Sequence, residues 1–514
     1  MEEKIENQKD NKKGLKDLQD SLLTEHTSMQ RRNIFSTARF MDPSPNTSNK
    51  DMSYSHLKGH HNSTILISKI IEWSAIPAQP ENLTSFLSHL NSTDILEKHY
   101  AIICLRRILS VKTKLPIREV LDHKNFIEIV KMTQEESEPH LQLEAAWCLA
   151  NLASGNKEET RSLIKKNIIG IFKQLSQHSM VQIAEQALWG LGNISGDGPE
   201  LRNILLKSDC MPQLISLFDS KPVHKLKNML LWIFSNICRM KPDNETISEM
   251  TRELTKRLVQ GYIETDEMDV EEDCLLGLAK CSKKHCLHIL CNSHFLNKLN
   301  QKYRSLFFSV EENQSKISAI NSIIGGLTSG NDEQTKAVVQ AGFLTSLTEL
   351  LSTRIEDILK EICWVLSNIA IGEIDMIFQF VNEPGLFPKI VQIIHNGESD
   401  ISKEALWIVC NLTLTKDDSF IQILIEREHI LDLFREILSQ KTDVRKINLV
   451  LEGIKELLQY FDSKKQNNLN SLSNLMIENG ISKLLEDLQY HHNNHVYYRS
   501  LRILEKFFPL ESEV

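Results

Sequence analysis

The sequence predicts an all-α solenoid of about ten repeated units, on three observations. From about Ser63 onward apolar residues recur at helical spacing, and no stretch shows the alternating β-branched pattern of a sheet strand. Five of the six tryptophans stand in the same short pattern, Trp-x-x-x-Asn, at Trp147/Asn151, Trp189/Asn193, Trp232/Asn236, Trp364/Asn368 and Trp407/Asn411. Successive tryptophans lie 42, 43, 132 and 43 residues apart, and 132 is three times 44, so one unit of 42 to 44 residues recurs. Such a chain builds one continuous core, because each unit packs only on its neighbours.

The elements follow in order. Residues 1–60 are polar and contain DPSPNTSNKD, which reads as a mobile arm with one short helix over Leu15 to Leu23. The solenoid is expected over 61–508, with a short acidic tail over 509–514. Its units end near Asn151, Asn193, Asn236, Lys280, Gly326, Asn368 and Asn411, and less regular ones flank them: CLRRILS before, LVLEGIKELLQY and VYYRSLRILEKFF after. Terminal units deviate because they cap a core instead of continuing it. The middle deviates too, since the period falls on Leu276/Lys280 and Ser322/Gly326 instead of Trp/Asn. AWCLANLASGN, ALWGLGNISGDGP, IIGGLTSGNDEQ and WVLSNIAIGE each end in a glycine suited to a left-handed helix cap, and a short helix and then a second one follow.

Composition narrows the function classes. No apolar run approaches the roughly 18 residues that span a bilayer, and MEEKIENQKD lacks the apolar segment of a secretory signal, so a soluble intracellular protein is expected, without membrane insertion. Ten cysteines then read as reduced thiols, with Cys148, Cys363 and Cys410 as small buried hydrophobes beside the motif tryptophans. The formal charge is −9, and the first sixty residues carry ten basic against nine acidic side chains, which leaves about −10 on the repeats. An acidic scaffold attracts cationic partners and repels the phosphates of nucleic acid.

A spacing of four sets indole and amide one turn apart on a single helix face, and repetition stacks these pairs into a ladder. Parallel, exposed indoles would form slots for the apolar stems of Lys or Arg, whose charges reach carboxylates beyond. An Asn amide matches the N–H and C=O of an extended peptide. The expected ligand is therefore an extended basic peptide. Two other patterns carry less. Cys281, His285, Cys286, His288 and Cys291 follow no standard zinc spacing and read as packing, and GNISGDGP lacks the strand and the Lys-Ser/Thr of a phosphate loop. No nucleophile, base and orienter recur together, so neither enzyme activity, cofactor nor metal is expected.

EAAWCLANLASGN, QALWGLGNISGDG, LLWIFSNICR, GNDEQT, KEICWVLSNIA, EALWIVCNL and the terminal IENGISKLLEDLQ and VYYRSLRILEKFF stand in the order of the corresponding segments of importin-α (karyopherin-α). From about Ser63 to Phe508 the chain resembles that family. The resemblance implies a right-handed superhelical armadillo-repeat solenoid with a flexible N-terminal arm. It also implies a nuclear import adaptor that shuttles between cytoplasm and nucleus and binds cargo through Lys/Arg-rich nuclear localisation signals. On this likeness the major signal-binding site comprises Trp147, Asn151, Gly155, Thr160, Trp189, Asn193, Asp197, Trp232 and Asn236, with Asp197 pairing the cargo ammonium. The minor site comprises Gly330, Thr335, Trp364, Asn368, Glu404, Trp407 and Asn411, with Glu404 as arginine acceptor, while Gly326 stands where the family has an Asn. QRRNIFS, with Arg31 and Arg32, is similar to the end of the family's segment that binds importin-β and occupies the cargo groove when free. Asp17, Asp20 and Glu25 among its lysines weaken that likeness. The terminal repeat is implied to dock the nuclear export receptor for importin-α. The competing expectation is an armadillo interaction scaffold that keeps the basic-peptide groove without coupling to importin-β.

Overall fold

The computed structural model describes residues 80–110, 115–239, 245–282, 286–463 and 468–508. The expected arm over 1–60 with Arg31 and Arg32, the start of the solenoid over 61–79, His285 and the tail over 509–514 lie outside the described residues. The chain divides between Ile237 and Cys238 into two compact units.

Every regular element among the described residues is helical, as the periodicity predicts. Ten long helices carry the repeat. In the first unit these are α1 (Ile95–Ile108), α2 (Pro139–Leu152), α3 (Val181–Gly196) and α4 (His224–Cys238), at whose end the boundary falls. In the second they are α5 (Met268–Cys281), α6 (Gln314–Thr328), α7 (Glu356–Ile369), α8 (Ser399–Leu412), α9 (Val444–Ser463) and α10 (Asn494–Phe507). Within the first unit α1 packs on α2 and α2 on α3; within the second each long helix packs on the next, from α5 through α10. The seam is made of small and branched apolar side chains such as Ala145, Ala146, Cys148 and Leu149 on α2, or Ile362, Cys363, Val365 and Leu366 on α7, all buried. Successive helices can approach closely because these residues are small where the axes meet. Cys148, Cys363 and Cys410 are buried thiols on these helices, as expected.

Two shorter helices normally separate one long helix from the next, as Lys157–Ile164 and Ile168–Leu175 do between α2 and α3. Asn156 and Asn331 open two such short helices as full capping boxes with Glu159 and Gln334. The expected left-handed glycine caps on the long helices are not there. Ala153, Ser329 and Ala370 end α2, α6 and α7 in right-handed geometry, and the chain leaves through tight turns such as Gly155 N–H to the Leu152 carbonyl, 3.4 Å. Just after α3, Gly198 does take a positive φ (116°) but with ψ 170°, outside the left-handed helical region; the other positive φ values fall after the last short helix, at Lys221 (55°) and Lys441 (52°), and between paired short helices, at Asn167 (62°), Gly342 (84°), Gly385 (76°), His429 (51°) and Gly480 (84°). The chain reverses there within two or three residues, and only a left-handed residue closes so sharp a corner.

Candidate peptide-binding ladder

The indoles are not the open, parallel set that the spacing suggests. Trp147, Trp189, Trp364 and Trp407 are half-buried, and Trp232 is 2% exposed. Glycine is the cause. A Cβ at Gly192 on α3 would stand 1.8 Å from the Trp232 ring, so the missing side chain leaves the hollow into which that indole sinks. Its centroid then lies 5.7 Å from that of Trp189 with the planes 48° apart, an edge-tilted pair instead of a slot. In the second unit Gly325 on α6 seats Trp364 in the same way, at 1.9 Å from a hypothetical Cβ. The first rung is closed by a cation of the chain itself. The Arg106 guanidinium of α1 lies 4.4 Å from the Trp147 ring centroid and its Nε donates to Glu144 Oε2 at 2.6 Å, both side chains being buried.

The asparagines correct the expectation further. All five are buried, and each amide nitrogen reaches back to the preceding unit. Asn151 Nδ2 donates to Ser110 Oγ at 3.0 Å, Asn193 to the Ala150 carbonyl at 3.2 Å and Asn236 to the Gly192 carbonyl at 3.2 Å. Asn368 donates to Ser329 Oγ at 2.9 Å and Asn411 to the Ser367 carbonyl at 2.9 Å. Asn recurs four residues after Trp because the last carbonyls and hydroxyls of each long helix need a donor, and the next helix supplies it. Two acceptors remain: Oδ1 of Asn193 and of Asn236 is buried without a hydrogen-bond partner.

Asp197, Thr160 and Gly155 come together in the first unit. Asp197 caps the C-terminus of α3, and the Thr160 hydroxyl lies within hydrogen-bond reach of it and 3.4 Å from the Gly155 carbonyl. Oδ2 of Asp197 is buried and has no donor. Desolvation raises its carboxyl above the ordinary range, against the lowering effects of Thr160 and, more weakly, Lys157. Lys157 does not neutralise it, because its ammonium pairs with Glu200 at 2.9 Å. A buried carboxylate oxygen beside a hydroxyl and a carbonyl, with no resident cation, is an ammonium acceptor.

The second unit places its acid elsewhere. Gly330 and Thr335 repeat the turn of Gly155 and Thr160, with the Thr335 hydroxyl 3.4 Å from the Thr328 carbonyl, and Asn368 ties α7 to that turn through Ser329. Four residues after Asn368, where the first unit has Asp197, stands Gly372. The carboxylates sit instead one turn ahead of the indoles, Glu361 before Trp364 and Glu404 before Trp407. Glu404 Oε2 is buried without a partner, and burial raises its carboxyl. Glu361 accepts from Asn321 Nδ2 at 3.0 Å, and desolvation pushes it up to about 7. Asn411 is joined to the Trp364 helix through the Ser367 carbonyl. Sequence reasoning missed Glu361 and Arg106. Glu361 was findable, since it precedes Glu404 by one period of 43 residues. Among the described residues no group of three or more His, Cys, Asp or Glu is placed to hold a metal ion.

Residues 331–371 match the model of the armadillo/beta-catenin-like repeat. The chain is 30% identical over 440 residues to importin subunit alpha-1a of Oryza sativa subsp. japonica, covering 84% of this chain and 81% of that one. Importin subunit alpha-1b of the same plant is 29% identical over 86% of this chain and 81% of its own, and importin subunit alpha-2 of Caenorhabditis elegans 27% over 56% and 53%. The crystal structure of an engineered protein superposes with a TM-score of 0.62 at 20% identity, covering 83% of this chain and 99% of that one, a likeness of fold alone.

Proposed function

The chain belongs to the importin subunit alpha family, and from that premise we propose that it is a nuclear import adaptor whose two ladders take Lys/Arg-rich localisation signals of cargo proteins. The observation that carries this reading is the buried, unpartnered Oδ2 of Asp197 between Thr160 and the indole-bearing helices. A lysine side chain laid along Trp189 supplies the missing donor there, and its apolar stem keeps water from the pair. The Asn193 and Asn236 carbonyl oxygens stand ready for donors of a bound backbone. Trp364, Asn368, Trp407 and Asn411 with Glu404 make the second contact, and an arginine is its natural partner, since a guanidinium spans a carboxylate bidentately. In this reading the arm with Arg31 and Arg32 recruits importin-β, the terminal repeat docks the export receptor, and the protein shuttles between cytoplasm and nucleus without contacting nucleic acid or membrane.

Two measurements test it. Trp189→Ala with Asp197→Ala is expected to abolish binding of a lysine-rich signal peptide, and unchanged affinity refutes the ladder as the binding surface. A peptide of residues 1–60 is expected to retain importin-β at physiological salt; loss of that interaction with the ladder still active leaves an armadillo scaffold uncoupled from import.

A further inference from the structure

The outermost rung of the first ladder is filled by the chain itself. One period of 42 residues before Trp147 and Asn151 stand Leu105 and Leu109, both buried, so α1 adds neither indole nor amide to the row. It adds Arg106 instead. The guanidinium carbon lies 4.4 Å from the Trp147 ring centroid, and Nε donates to Glu144 Oε2 at 2.6 Å, with 9% and 2% of the two side chains exposed. Glu144 stands three residues ahead of Trp147, the relation that Glu404 bears to Trp407. The two rungs thus hold the same indole and carboxylate one helical turn apart. At Glu404 the carboxylate keeps a buried oxygen without a donor, whereas at Glu144 a side chain of α1 supplies both the charge and the stacked plane that a basic ligand residue would bring.

The exclusion that follows is one of place and not of net charge. Arg106 is balanced by Glu144, but while it lies there an incoming ammonium or guanidinium finds neither an open carboxylate nor an open aromatic face on the α1 side of Trp147. Because α2 packs between α1 and α3, a ligand side chain gains its contacts only on the other side, toward Trp189. We propose that Arg106 is a specificity-determining residue of the first ladder: it occupies the cation place of the outermost rung and so ends the row of basic side chains that the ladder rewards. This rests on the reading of the first ladder as a basic-peptide site. Its ligand is then a short Lys/Arg cluster seated from Trp147 toward Trp232, and the next residue past α2 adds no affinity by being basic.

The test uses the full chain carrying Glu404→Gln, so that the second ladder is weakened, and fluorescence anisotropy with three labelled peptides: a short basic cluster, and the same cluster with one further Arg at either end. This parent is expected to bind all three within about twofold. Arg106→Gln vacates the rung and uncovers Glu144, and one of the longer peptides is expected to gain about fivefold or more over the short one. Arg106→Lys keeps a cation on Glu144 and should match the parent. Arg106→Gln with Glu144→Gln removes both charges of the pair, serves where the single variant fails to fold, and should gain less, from the indole face alone. An equal gain in the parent and in the vacated proteins overturns the proposal and spares the ladder reading, as does the absence of any gain in vacated proteins whose helical circular dichroism is intact. Binding of none of the peptides by the parent overturns both.

Discussion

The two units share an alphabet and spell different sites with it. Both set Trp and Asn one turn apart, both sink an indole into a glycine hollow, at Gly192 and at Gly325, and both open a short helix on a Gly-Asn capping turn. The carboxylates differ. In the first unit the acid is Asp197, at the mouth of α3, while the helix position one turn ahead of Trp147 holds a Glu144 already sealed by Arg106. In the second unit Gly372 replaces that terminal acid, and the helix positions hold Glu361 and Glu404, neither with an arginine from the chain. Indole and amide positions thus belong to the scaffold, and what distinguishes the sites is where each leaves a carboxylate without a cation. The five amides bond between successive repeats within each unit, which explains why they persist where the acid has moved.

The largest effect should separate the sealed glutamate from the open one. Arg106→Met is expected to destabilise the first unit by about 3–5 kcal/mol in urea unfolding, because it strands the buried Glu144 charge and uncovers Trp147. Glu404→Gln removes an unpaired carboxylate and should leave the second unit as stable or slightly more so. A loss below about 1 kcal/mol for Arg106→Met would mean that Glu144 is as open as Glu404, and the contrast would collapse.

Binding should divide the same way. Asp197→Ala is expected to weaken a lysine-rich peptide by about 2–4 kcal/mol, some 30- to 1000-fold. Glu404→Gln should cost an arginine-bearing peptide at the second ladder about 1–2 kcal/mol, since Glu361 remains to share the charge. Equal losses by titration calorimetry would show that the position of the acid does not matter. Below these stand the hollows. Gly192→Ala and Gly325→Ala should each destabilise by about 1–3 kcal/mol, because the added Cβ meets an indole that must leave its seat. Trp232 fluorescence should shift to the red in Gly192→Ala as the ring is expelled.

Much of this was legible beforehand. The period of the tryptophans locates the long helices from α2 through α8, because a solenoid repeats one packing problem and its solution must recur in the sequence, but not the 20-residue helix over Glu245–Glu264. Asp197, Thr160 and Gly155 were reached through the likeness of ASGNKEET and NISGDG to the importin-α family, and not through the period. Burial was not. Nothing in Trp-x-x-x-Asn tells that the amide turns inward to the preceding helix, since its partner lies about forty residues back and is a backbone carbonyl in most rungs. Nor does a lone glycine announce an indole's seat, because the clash it avoids is with a residue one whole unit later. Arg106 was hidden for the same reason: CLRRILS reads as a degenerate unit, and only packing shows its guanidinium lying over Trp147.

The smallest effect concerns protons, and its sign differs between stability and binding. Glu361 has its carboxyl raised to about 7, chiefly by desolvation, from an ordinary 4.5. A group whose folded value exceeds its unfolded one favours the fold while protonated, so its contribution is whole below the ordinary value and drains away as pH rises toward and through 7. The wild type should therefore lose stability relative to Glu361→Gln between pH 5 and 8, by on the order of 1 kcal/mol once solvent screening is allowed for. A cationic ligand needs the ionised form, so affinity at the second ladder should climb a few-fold between pH 6 and 8 while stability falls. Glu361→Gln should flatten both slopes together. For a peptide confined to the first ladder, Glu361→Gln should leave the pH dependence of binding unchanged, and a flattened slope there would mean that the titrating glutamate does not act at the second ladder alone.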